Sequence, residues 1–266
     1  MRLFTLIRRY HRGRDLVAIA DQLRNERQWS RAAAAYQQAV AAQPRAAFLH
    51  VQLGHALKES GDLDAAEAAY LTALRLLPEE ADISLQLGHL FNLRGDIRTA
   101  VAWYARAAEL APDNSDIAHH LGDARVRLER QASEHLVAQG LLAMQSQQFD
   151  RASALFREAV ERHGRQDICA LLGHALKENG DFAGAHDSYR QYREYAAAHN
   201  QSLLYDVEIQ IGHLYKIEGN SHEALKHYMN AKKLKIIYND NLQINREIEN
   251  EILLCMKVLM PIFVME

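Results

Sequence analysis

The chain of 266 residues is 48% hydrophobic and 24% charged, with a formal net charge of −3. This is an ordinary globular composition, long enough for a sizeable buried core. Its balance of charge excludes a protein held to nucleic acid by bulk positive charge. Four prolines and thirteen glycines, set against abundant alanine, favour helices almost throughout.

The first stretch, MRLFTLIRRYHRGR at 1–14, has a short apolar patch followed by arginines and no signal-peptide pattern. Residues 1–12 read as a solvated basic segment. The other reading, a helix touching an anionic membrane surface, is the weaker one, and membrane contact is not expected. At the far end Ile252–Met265 is apolar but too short to span a bilayer, and Lys257 and Pro261 interrupt it. Cys169 and Cys255 lie far apart without metal-type spacing, and read as reduced thiols of a cytoplasmic protein.

Between the ends the text repeats. Pro44, Pro78 and Pro112 stand 34 residues apart, a period that marks a stacked repeat. A small residue recurs at Ala20, Gly54, Gly88, Gly140, Gly173 and Gly212. Twelve residues after each comes alanine, at Ala32, Ala66, Ala100, Ala152, Ala185 and Ala224. Four further on comes an aromatic: Tyr36, Tyr70, Tyr104, Phe156, Tyr189 and Tyr228. Three beyond that is Ala39, Ala73, Ala107, Ala159 or Ala231, with Tyr192 as the exception.

This spacing predicts antiparallel helix pairs in six units, 13–46, 47–80, 81–114, 133–166, 167–200 and 205–238. Within each pair, small residues of the first helix are expected to face small residues of the second, while the aromatic fills space towards the next unit. Gly61-Asp62, Gly95-Asp96, Gly180-Asp181 and Gly219-Asn220 predict the turns: glycine ends one helix in a left-handed conformation and the acid or amide caps the next. Proline closes the second helix where it is present; units 133–166 and 167–200 lack it.

Residues 115–132 read like a first helix, with Leu121-Gly122 in place, but no second helix follows. They are taken as a cap, which gives a domain 13–132 of three units plus cap. A second domain, 133–266, has three units plus a C-terminal cap over 239–266. No glycine or proline lies between Asp123 and Gln139, which predicts one continuous helix and a stiff joint.

The pattern resembles the tetratricopeptide repeat family over about residues 13–238. The resemblance implies an all-α, right-handed superhelix of antiparallel helix pairs whose first helices line a concave groove. On those helices the phrase Leu-Gly-His or Ile-Gly-His recurs, and the resemblance points His55, His89, His174 and His213 into the groove. Three residues later on the same face come Lys58, Asn92, Lys177 and Lys216, and three residues earlier Gln52, Gln86 and Gln210. Such a stripe suits an extended peptide, with donors for main-chain carbonyls and positive charge for acidic side chains or a carboxylate. The competing role for the histidines is a structural ladder, each bonding a neighbouring turn.

No metal or other cofactor is expected. Equivalent side chains on neighbouring repeats stand about 10 Å apart, whereas zinc ligands all lie about 2 Å from one centre. There is no phosphate loop, nucleophile elbow or strand–helix alternation, so the chain is not expected to be an enzyme. Asp62-Leu63-Asp64 mimics the Asp-x-Asp of sugar-nucleotide transferases, but its place at a helix start explains it as capping. The stretch VQLGHALKESGDLDAAEAAYLTALRLLPEEADISLQLGH at 51–89 resembles the repeat region ahead of the catalytic domain in bacterial glycosyltransferases. Two functions follow. The first is a scaffold binding a partner protein or extended, acidic peptide in the groove. The second is the recognition arm of a bacterial glycosyltransferase, acting with a catalytic partner in polysaccharide or protein glycosylation. Nucleic acid is disfavoured, because Glu59 and Glu178 stand beside the groove lysines.

Overall fold

The computed structural model describes residues 15–237 and 246–259. The basic segment 1–12 and the ends of the C-terminal stretch, 239–245 and 260–266, lie outside the described residues. Regular structure among the described residues is helical, as the composition and spacing predict. The chain divides into two compact units, one up to Glu129 and one from Arg130 onward.

In unit 1, α1 (15–25) is followed by α2 (Trp29–Ala42), α3 (Ala47–Ser60), α4 (Leu63–Leu76), α5 (Ala81–Leu93), α6 (Ile97–Leu110) and the first part of α7 (Ser115–Gln145). In unit 2 the rest of α7 is followed by α8 (Phe149–His163), α9 (Cys169–Glu178), α10 (Phe182–His199), α11 (Leu204–Ile217), α12 (Ser221–Ile237) and α13 (Arg246–Leu259). Helix α7 runs unbroken for 31 residues, as expected from the absence of glycine and proline between Asp123 and Gln139.

The turns form as their sequences dictate. Gly61 ends α3 at φ 90° and its backbone N–H reaches Leu57 and Lys58 carbonyls. The next residue, Asp62, accepts the Ala65 N–H at 3.1 Å and so caps α4. Asp96, Asp181 and Asn220 cap α6, α10 and α12 in the same way. Two turns do without glycine: Arg27 and Gln147 take φ of 57° and 56°, a left-handed conformation that costs an L-residue about 1 kcal/mol or more. Where the closing proline is missing, single turns of 3-10 helix at Gln166–Ile168 and Gln201–Leu203 start the next first helix instead.

Packing within the pairs centres on a ring. The atoms nearest to a Cβ on the first-helix glycine belong to the aromatic ring of its own unit. A Cβ on Gly54 would lie 2.6 Å from Tyr70, one on Gly173 2.8 Å from Tyr189, and one on Gly212 2.6 Å from Tyr228. Gly88 meets Tyr104 and Gly140 meets Phe156 in the same manner. The ring is the larger body, so it, rather than a methyl, uses the space the missing side chain leaves. The same rings also reach the following unit, as expected: Tyr70 packs with Ile83 and Leu87, and Tyr189 with Val207 and Ile211. The alanines Ala32, Ala66, Ala100, Ala152, Ala185 and Ala224 are fully buried.

The first part of α7 packs Ile117, Leu121 and Ala124 onto unit 1, the latter two against Ala100 and Tyr104. Gly122, at the position where other first helices receive a ring, has no atom within 4 Å of a notional Cβ. Helix α13 buries Ile248, Ile252 and Cys255 in a cluster with Ala224 and Tyr228. It therefore occupies the place of a further first helix, with Leu253 where the glycine would stand. Unit 2 also buries a polar contact: His227 Nδ1 donates to Glu208 at 2.7 Å, and both side chains are about nine-tenths covered. Burial by itself raises the Glu208 carboxyl, but the His227 bond and the Arg193 charge hold it below the ordinary carboxylate range.

Candidate functional site

The glycine of each first helix admits the ring, and the ring's hydroxyl then meets the residue after the glycine. Tyr70 Oη and His55 Nδ1 are 3.0 Å apart, and Tyr104 Oη and His89 Nδ1 2.9 Å. In the first unit the same place belongs to Asp21, whose carboxylate accepts from the Tyr36 hydroxyl at 2.6 Å. Each of these pairs is separated by 15 residues. In the fourth unit the aromatic is Phe156, which has no hydroxyl, and the residue 15 before it is Leu141. A polar acceptor thus accompanies tyrosine, and an apolar residue accompanies phenylalanine. This signal is present in the sequence, yet it brings out Asp21, a residue that the Gly-His phrase does not reveal.

Burial governs the protonation of these groups. His55 is held below the ordinary imidazole range by burial first and the nearby Lys58 second. His89 falls to about 4, through burial and then the adjacent His120. His120 stands edge-on to His89 at 4.6 Å between ring centres and stacks on Tyr104 at 5.8 Å. In unit 2, His174 is lowered by burial and by Lys177. His213 meets Tyr228 edge-on at 5.6 Å. The buried Tyr189 and Tyr228 hydroxyls have no hydrogen-bonding partner among the described residues, so the histidine–tyrosine bond of unit 1 is not repeated there.

The rest of the stripe is held partly by cross-helix contacts and partly by neighbours on the same helix. Gln52 accepts from Arg24 of α1 at 2.6 Å, and Asn92 accepts from Arg127 of α7 at 2.7 Å. Gln86 donates to Asp82 at 3.3 Å on its own helix, and Gln210 is half-buried. Each stripe lysine stands by a carboxylate: Lys58 by Glu59 at 3.7 Å, Lys177 by Glu178 at 3.4 Å, and Lys216 by Glu251 of α13. Arg24, Arg127, His120 and Glu251 thus belong to the same surfaces, although the four-fold Gly-His phrase gives no hint of them.

In unit 2 these positions converge. An open depression of about 360 Å³ is lined by Lys177, His213, Lys216 and Ile217. It offers two ammonium groups, an imidazole and an exposed apolar side chain at the meeting of α9 and α11. Among the described residues no group of three His, Cys, Asp or Glu side chains is placed to hold a metal ion. None of the described helices is long and apolar enough to cross a membrane.

Models of the tetratricopeptide repeat match residues 51–115 and 209–235. No curated protein matches the chain. Among solved structures, the TPR2AB domain of yeast Sti1 in complex with pHSP90 is 16% identical, covering 92% of this chain and 99% of that one, with a TM-score of 0.52. A tetratricopeptide repeat protein from Parabacteroides merdae is 14% identical over 92% of this chain and 98% of that one, with a TM-score of 0.42. The Sgt2 TPR domain from Aspergillus fumigatus is 17% identical over 45% of this chain and 81% of that one, with a TM-score of 0.42. Tetratricopeptide repeats are thus matched over residues 51–115 and 209–235, and the described residues fold as an all-α array of consecutive helix pairs, the fold of the Sti1 domain.

Proposed function

We propose that this chain is a non-enzymatic scaffold that binds a partner protein through an extended, acidic segment laid along the first helices. The observation that carries this reading is the depression of unit 2, where Lys177, His213 and Lys216 meet beside Ile217. Two cations at an open site attract carboxylates, and a neighbouring apolar side chain gives a second, shape-dependent contact. The Sti1 structure that shares this fold is itself a complex with pHSP90. Glu178 and Glu251, which flank Lys177 and Lys216, keep the lysines oriented and leave an incoming acid to compete for them. That competition implies modest affinity with a strong dependence on salt. The reading as a glycosyltransferase recognition arm draws no support from the family models and structures named above.

The test is selection from a random peptide display library on the whole chain, followed by the double variant Lys177→Ala, Lys216→Ala. Enrichment of acidic peptides that the double variant fails to retain, with melting unchanged, supports the proposal. Selection of neutral or basic peptides, or equal retention by the double variant, overturns it.

A further inference from the structure

We propose that Tyr70 and Tyr104 are positioning residues that hold His55 and His89 as Nε2–H tautomers, so that unit 1 presents two fixed N–H donors, one repeat apart, to main-chain carbonyls of an extended peptide. The inference rests on the peptide-binding reading above and adds to it what unit 1 recognises.

The direction of the hydrogen bond follows from the equivalent pair in the first unit. There the partner of Tyr36 is a carboxylate, Asp21, at 2.6 Å. A carboxylate accepts, so the tyrosine donates. Tyr70 and Tyr104 occupy the same place on their second helices, lie over the same glycine slot and make the same bond. The substitution of Leu141 where Phe156 has no hydroxyl points the same way: what the position supplies is an acceptor for that hydroxyl. A tyrosine that donates to Nδ1 leaves the ring proton on Nε2. Tyr70 is fully buried and Tyr104 nearly so, so the hydroxyls cannot turn to water for another acceptor.

The consequence is a pair of rigid donors. Nε2 lies across the ring from the tyrosine-bonded Nδ1, and both histidines are partly buried, with the His120 ring edge-on to His89 at 4.6 Å. Stacked helices are about 10 Å apart, and a peptide in the extended polyproline II conformation rises about 3.1 Å per residue with three residues per turn. Donors one repeat apart therefore match carbonyls three residues apart on one side of such a peptide, whatever the side chains.

Two measurements decide this. The first is long-range 1H–15N correlation of the histidine rings in the full chain at pH 7.5, with signals assigned by His55→Gln and His89→Gln. The expected result is Nε2–H for both rings, with Tyr70→Phe and Tyr104→Phe each turning its own histidine into a mixture of tautomers. Nδ1–H rings in the native chain, or tautomers unmoved by the two phenylalanines, overturn the proposal. The second is anisotropy with an acetylated, amidated nonapeptide of alternating alanine and glutamate. The double variant Tyr70→Phe, Tyr104→Phe should bind it about three- to tenfold more weakly, the worth of lost hydrogen bonds. Equal affinity overturns the donor role even where the tautomers are as expected. A native chain that does not bind the peptide at all counts against the peptide-binding reading, while the ring spectra still decide the tautomers.

Discussion

The ring of Tyr70 occupies the space that a side chain on Gly54 would need: a Cβ there would lie 2.6 Å from the ring. The two positions are coupled by volume. Gly54→Ala should destabilise by about 1–3 kcal/mol through overpacking, and Tyr70→Ala by about 3–5 kcal/mol through the cavity it leaves. In the double variant the new methyl enters space the ring has vacated, so the combined loss should fall short of additivity. Gly122 supplies the contrast, since nothing approaches its notional Cβ. Gly122→Ala should stabilise α7 by about 0.5–1 kcal/mol through helix propensity alone. Urea unfolding of the four variants measures all of this.

Gln147 carries a left-handed backbone, φ 56°, at the turn after α7. Glycine takes that place in other turns, as at Gly61 and Gly180. Gln147→Gly should therefore raise stability by about 1 kcal/mol. A lower urea midpoint for this variant would mean that the turn gains more from its side chain than it loses in backbone strain.

Glu208 and His227 form a hydrogen bond buried between α11 and α12. His227→Ala leaves the carboxylate without its closest partner, with Arg193 remaining at 3.6 Å and Asn230 still hydrogen-bonded to it. The expected loss is about 1–3 kcal/mol. Replacing both, Glu208→Leu with His227→Leu, should recover most of it, because the cost lies in the stranded charge more than in the lost contact. Thermal unfolding of the single and double variants distinguishes these outcomes.

Acid should weaken unit 1. His89 has a folded pKa of about 4 against an ordinary value of 6.5. Between these values the unfolded chain binds the proton more readily, so stability rises with pH across this window. The contribution is fully present above pH 6.5 and is lost as the pH falls towards 4. His55 and His174, both lowered, act in the same direction. His89→Gln removes the titrating group, and its melting temperature should fall less between pH 7 and pH 4.5 than that of the native chain. A native chain whose melting temperature is flat over this range would contradict the burial of these rings.

The repeat, its helix pairs and the glycine–aspartate turns were legible in the sequence because they are local. A cap such as Asp62 reaches a backbone N–H three residues away, and a period of 34 residues needs only counting. What the histidines touch was not legible in the Gly-His phrase, which gives a face of a helix but not what stands opposite. The covariation of Asp21 and all four histidines with tyrosine, and of Leu141 with Phe156, carried that information at a separation of 15 residues. It becomes readable only once the ring is known to lie over the glycine.

By itself, then, the sequence determined which segments coil, where they stop and which residues repeat on each face. The tertiary structure decided that the glycine slot is filled by a ring. It decided that two histidines bond tyrosine while two others do not. It also placed Glu251 of α13 on Lys216 of α11. These outcomes depend on how closely two helices approach and on the rotamers that the approach allows. That is a matter of side-chain volume across the interface, and no spacing along a single helix specifies it.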